Sequence, residues 1–156
     1  MRLTKLIAEI LTYICVLVTV SFTITVLTQV IARMISYSLP GTEEVSRLLI
    51  VWLTFLGTSL AIHKKMHLAV SFFVNLANDT LQKIIYLLVN VLTIIFFVIL
   101  TVYGFNLTME TMSNPTPILH LPTGIYYASI PVSSLFSIYF TVTQIFESTG
   151  EGESAI

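Results

Sequence analysis

Only 10% of the 156 residues are charged, where a soluble domain carries roughly 25%. So little charge leaves a globule without polar surface to cover itself. There is one cysteine, Cys15, inside an apolar run, which excludes a disulfide framework, a thiol redox pair or a Cys-rich metal site within the chain. A net charge of −1 offers no basic field for nucleic acid. A further absence lies in the four long apolar stretches, whose cores contain no Asp, Glu, Lys, Arg or His. An ion or proton pathway through lipid needs an ionisable group near the midplane, where only function offsets its desolvation. A helix-bound haem would need histidines inside the spans, but His63 and His67 stand at a span end and His120 in a Pro-rich loop. The expectation is a chain with no catalytic residue, no cofactor and no metal, and not an enzyme.

What the sequence has is grease: 56% hydrophobic residues and a mean hydropathy of +0.94. It reads as an all-α integral membrane protein with four transmembrane helices and a short interfacial amphipathic helix. The spans fall at about 8–33, 45–62, 81–105 and 123–146, within a single membrane domain over 1–146; residues 147–156 form a flexible cytoplasmic tail. From Ile10 to Ala32 no residue is charged, giving roughly 34 Å of helix, enough to cross with some tilt. Arg2 and Lys5 precede it as in a signal peptide, but the run far exceeds the ~7–15 apolar residues of a cleaved signal. The second span is short, so Arg47 and Lys64 are expected to snorkel at its ends. Pro115, Pro117 and Pro122 break the chain between the third and fourth spans. Pro131 is expected to kink the fourth.

Leu68 to Asn78, "LAVSFFVNLAN", is too short to cross. Ser71, Asn75 and Asn78 share one helical face with His67, opposite Leu68, Phe72, Phe73 and Leu76. That pattern describes a helix lying in the interface at about 67–78; a frayed continuation of the second span is the alternative. Beside it, His63, Lys64, Lys65 and His67 form a cytoplasmic-interface anchor. The i, i+4 histidines could share a metal, but Lys64 and Lys65 between them would repel a cation, so the patch reads as a topology determinant. With the N-terminus inside, Arg2, Lys5, Lys64, Lys65 and Lys83 are cytoplasmic and only Arg33 and Arg47 lie outside. Both termini are therefore expected in the cytoplasm.

The most distinctive stretch begins "PGTEEVSRLLIVWLTFLGTSLAIHKKMHL" at residue 40. Thr42 is a candidate N-cap. Glu43 and Glu44 would occupy the first helical turn, where the dipole favours negative charge, with Arg47 spaced to pair with either. Gly57 and Ala61 form a small-xxx-small pair of the kind that lets helices approach closely in lipid. Thr12, Thr19 and Thr23 make a weaker polar stripe on the first span. These features serve either the chain's own bundle or contact with a partner.

The region from Glu43 to Val70 resembles the signature of the small membrane subunit of tripartite ATP-independent periplasmic (TRAP) transporters, the DctQ type. Glu43, Glu44, Arg47, Leu56-Gly57, Ala61, Lys64 and His67 match the family pattern in order, and length and span number agree. Gly41 departs from it where an aromatic is common, and Ser71 where an Asp is common. The resemblance implies a subunit in the bacterial inner membrane that scaffolds a large multi-span membrane subunit. It also implies help in docking a periplasmic substrate-binding protein, and import of an organic acid, such as a C4-dicarboxylate or sialic acid, on a sodium gradient. Glu43, Glu44, Arg47, Gly57 and Ala61 are then the partner-interface candidates, and membrane lipids surround the rest. Two other classes stand beside it. A four-helix multidrug-type exporter needs a membrane-embedded Glu, and the nearest here, Glu9, sits beside Lys5 at the interface. The other is an assembly factor for a different membrane complex.

The orientation is checked with single cysteines in a Cys15→Ser background. The tail and Lys64 should be shielded from an impermeant thiol reagent added outside, and positions 40 and 115 should react. Labelling of the tail from outside would overturn the topology.

Overall fold

The computed structural model describes residues 2–37, 39–64 and 79–151. Its elements are α1 (Arg2–Met34), α2 (Thr42–His63), α3 (Asp79–Thr111), a single turn α4 (Gly124–Tyr127) and α5 (Ser129–Glu151). Four helices are long and apolar enough to cross a membrane, the last formed by α4 and α5 together. This is the expected four-span fold. The segment read as an interfacial helix lies outside the described residues. α5 runs on through Glu151, into the stretch read as a flexible tail.

Helix ends follow local chemistry. α1 contains neither Pro nor Gly and stops where Ser36 turns left-handed (φ 55°). The Tyr37 N–H then reaches back to the Ala32 carbonyl at 2.9 Å and the Ser36 N–H to the Arg33 carbonyl at 3.1 Å, a Schellman closure. α2 starts differently from the sequence expectation. Its N-cap is Gly41, at φ 92° and with no side-chain cap, while the Thr42 hydroxyl donates backwards to the Leu39 carbonyl at 2.9 Å. A side chain at 41 would strike Leu119, whose Cδ2 lies 2.9 Å from the Cβ position. That contact and the positive φ explain why no aromatic stands here. Pro131 lies in the first turn of α5, where it has no N–H to offer the Tyr127 carbonyl, while Ala128 between α4 and α5 keeps a right-handed helical backbone (φ −59°, ψ −24°) and donates to Gly124 O at 2.8 Å.

The helices pack in the order α1–α2–α5–α3, with α4 against α3, α2 and α5. The α4–α5 span is by far the most buried, and α1 and α3 are the least. α1 turns a stripe at alternating three- and four-residue spacing toward its neighbour: Thr4, Ala8, Leu11, Cys15, Val18 and on to Gln29 and Ala32. This is the seam geometry of two helices crossing at a shallow angle. Its other faces expose large aliphatic residues, as lipid contact requires. The hydroxyls of the threonine stripe bond within α1: Thr12, Thr19 and Thr23 each donate to the carbonyl four residues back, with Thr12 half-buried and Thr19 and Thr23 exposed. At the other side of the row, Gly104 lets α3 approach α5, where Ile130 Cγ2 lies 2.8 Å from the Cβ position.

The centre is a polar seam between α2 and α5. Ser59, fully buried, donates to the Ser133 carbonyl at 2.7 Å, and its oxygen lies 2.9 Å from the Ser137 hydroxyl. Near one end Gln144 donates to the Ile62 carbonyl; toward the other, Trp52 Nε1 donates to Ile125 O at 3.1 Å. Leu56, Phe97 and Phe140 close the apolar core around it.

Ser59→Ala should lower stability by only about 0.6 kcal/mol, the mean for interhelical hydrogen bonds in a membrane. Ser59→Leu places a much larger side chain at a fully buried site and should cost about 1–3 kcal/mol. Thermal unfolding of the detergent-solubilised chain checks the order; equal midpoints for the two variants would contradict close packing here.

Candidate functional site

Residues 114–123, which follow α3, form a tight hairpin rather than an open loop. Thr116 N–H donates to Leu121 O at 2.8 Å, Leu121 N–H to Thr116 Oγ1 at 3.1 Å, and Thr123 N–H to Asn114 O at 2.8 Å. Pro115 and Pro122 face each other across the pair; neither has an N–H, so the flanking residues make the bonds. His120 turns the tip at φ 53°, a conformation more accessible to His than to most residues.

Glu44 holds this tip. Its Oε1 accepts the Ile118 N–H at 3.1 Å and its Oε2 the Leu119 N–H at 3.0 Å. The Glu44 carbonyl accepts the Tyr126 hydroxyl at 3.0 Å. The first turn of α2 is thus bonded to the hairpin and to α4, and Glu44 is only 8% exposed. An ionised carboxylate is an acceptor at both oxygens and matches two adjacent donors. The sequence reading placed Glu44 in the first turn, where it is, but its partners lie more than 70 residues away.

The other candidates disperse. Glu43 and Arg47 are exposed. Among the described residues neither makes an ion pair; the expected pairing of Arg47 with the acids is reduced to a through-space attraction to Glu44. Gly57 meets nothing within 4 Å of its Cβ position. It and Ala61 are half-buried beside the exposed Thr54 and Thr58, so the small-xxx-small face is uncovered. The His63 ring stacks at a tilt on Phe140, centroids 4.7 Å apart. The exposed Lys64 closes α2 through its backbone N–H to Leu60 O at 3.1 Å. Lys65 and His67 lie outside the described residues. No group of three potential metal ligands gathers among the described residues.

Sequence reasoning missed Ser59, Gln144 and Gln29, whose amide donates to Thr42 O at 2.8 Å across α1 and α2. The available signal was polar residues inside apolar spans, which must find partners in the chain.

Glu44→Gln leaves one acceptor and turns an NH₂ toward a second N–H. Amide exchange at Ile118 and Leu119 should quicken by roughly tenfold or more. Glu43→Gln, at an exposed position, should leave it unchanged. Hydrogen exchange followed by mass spectrometry on peptides spanning 114–123 reads both variants; unaltered exchange in Glu44→Gln would show that the carboxylate does not hold the hairpin.

The family model for the DctQ component of tripartite ATP-independent periplasmic transporters matches residues 22–150. A "Putative TRAP transporter small permease protein" of Haemophilus influenzae is 32% identical over 97 residues, 62% of this chain. The aligned stretch spans 60% of that relative's length. With the family match running from within α1 to the last turn of α5, the chain belongs to the DctQ-component family of TRAP transporters.

Proposed function

We propose that this chain is the small permease subunit of a TRAP-type secondary transporter in a bacterial inner membrane, importing an organic acid on a sodium gradient. A carboxylate such as a C4-dicarboxylate or sialic acid is the class of cargo. The chain's part is to hold a large multi-span membrane subunit and to help dock a periplasmic substrate-binding protein. The family match across residues 22–150 carries this reading. The distribution of polar groups supports a scaffold: within the spans they are hydroxyls and carboxamides, of which Ser59 and Gln144 tie α2 to α5, with no ionisable group at mid-depth to follow a moving ion.

Glu44 is engaged inside the chain, so its contribution is to set the hairpin at the aqueous end of α2. The face offered to the large subunit is the uncovered side of α2 at Thr54, Gly57, Thr58 and Ala61. There the absence of bulk lets a partner helix come close. Glu43, at the same end as the hairpin, faces the soluble partner. His63 and Lys64 mark the cytoplasmic end, with Lys65 and His67 beyond them.

Reconstitution separates the roles. The chain alone in liposomes should give no uptake under an imposed sodium gradient, and uptake should require the large subunit and the binding protein together. Gly57→Leu should reduce recovery of the large subunit with this chain. Uptake by the single chain would overturn the assignment.

A further inference from the structure

A cavity of about 510 Å³ opens on the side of the molecule between α2, the proline hairpin and α4, with Ile130 of α5 at its far end. Its volume is that of a ligand site, roughly 300–1,000 Å³, yet it is open rather than enclosed and its walls change character along its length. At the mouth stand Glu44, Arg47 and the hairpin; further in come Val51, Phe55 and Ile130. Along α2 the distance from Glu44 to Phe55 is about 16 Å at ~1.5 Å per residue. That is about half of the ~30 Å hydrocarbon core. The slot therefore begins at the interface and ends near the midplane, the depth of one leaflet.

The mouth fixes what enters. Both Glu44 oxygens already accept backbone N–H groups, whereas the guanidinium of Arg47 has no hydrogen bond or ion pair among the described residues. Its five donors form a planar fork suited to a phosphate, and it stands where a headgroup stands. Because a carboxylate and a guanidinium share the mouth, the local charge is neutral, which suits a headgroup that is itself neutral overall.

We propose that one phospholipid of the leaflet at the Glu44 end is a resident ligand of this slot, its phosphate on Arg47 and one acyl chain along Val51, Phe55 and Ile130. Arg47 then serves a lipid and not a partner's carboxylate. The inference rests on the membrane-spanning fold and is independent of the transport role.

The full-length chain, extracted in mild detergent, is tested by native mass spectrometry and by titration of the delipidated protein with phosphatidylethanolamine. One phospholipid should survive detergent that strips the bulk lipid. Arg47→Gln should bind it about tenfold more weakly, and Val51→Trp, which fills the slot, should lose it. Diacylglycerol with the same chains should fail to compete, as should inorganic phosphate. Thermal unfolding confirms that the variants are folded; should Val51→Trp not fold, Arg47→Gln at its exposed position decides. A photoreactive residue replacing Phe55 in cell membranes should crosslink to phospholipid. Unchanged retention in Arg47→Gln, full competition by diacylglycerol or by phosphate, or crosslinking to a polypeptide instead would each overturn the proposal.

Discussion

In lipid a helix gains nothing by hiding apolar surface from its surroundings, because the surroundings are equally apolar. Attachment must come from close packing and from polar groups that have no other partner. Ser59 supplies both for α2 and α5: a side chain small enough for the helices to touch, and a hydroxyl bonded to the Ser133 carbonyl. The rest hangs from this seam. In the packing order α1–α2–α5–α3, each outer helix leans mainly on one inner helix. Were the inner pair to part, the row would fall into two hairpin-like halves.

Length gives the row its relation to the bilayer. α1 and α3 have 33 residues each and α2 has 22, so the outer helices measure about 50 Å and α2 about 33 Å. Even at a tilt of 40°, the upper end of the usual range, a 50 Å helix rises about 38 Å against a core of ~30 Å. The ends of α1 and α3 must therefore stand clear of the hydrocarbon. The hairpin at 114–123 begins beyond such an end, which places its backbone groups where water can complete their hydrogen bonding.

What the sequence made legible was everything with a short-range cause. Apolar runs of the right length gave the helices, prolines gave the breaks, and paired acids after a turn gave the start of α2. What it hid was long-range. Local logic put Glu44 in the first turn of α2, where it is, but said nothing of the amides of Ile118 and Leu119 that its carboxylate meets far along the chain. Gly57 illustrates the reverse: small spacing reads the same whether the face is covered or open. Gln29 and Gln144 were visible as polar residues in apolar surroundings, but periodicity does not say which carbonyl each one meets.

The grip of Glu44 on the hairpin has an evolutionary corollary. A carboxylate that binds two backbone N–H groups recognises the polypeptide and ignores the side chain attached to it. At position 118 any residue except proline supplies the same donor, and the Ile118 side chain is 48% exposed, only its Cγ2 resting beside Gly41. The anchor and the surface it presents can therefore diverge independently. A lineage could change the chemistry displayed at position 118 without losing the fold of the tip, whereas Leu119 is tied to its place by its side chain against Gly41. Glu44 has no such latitude, because its function resides in both of its oxygens.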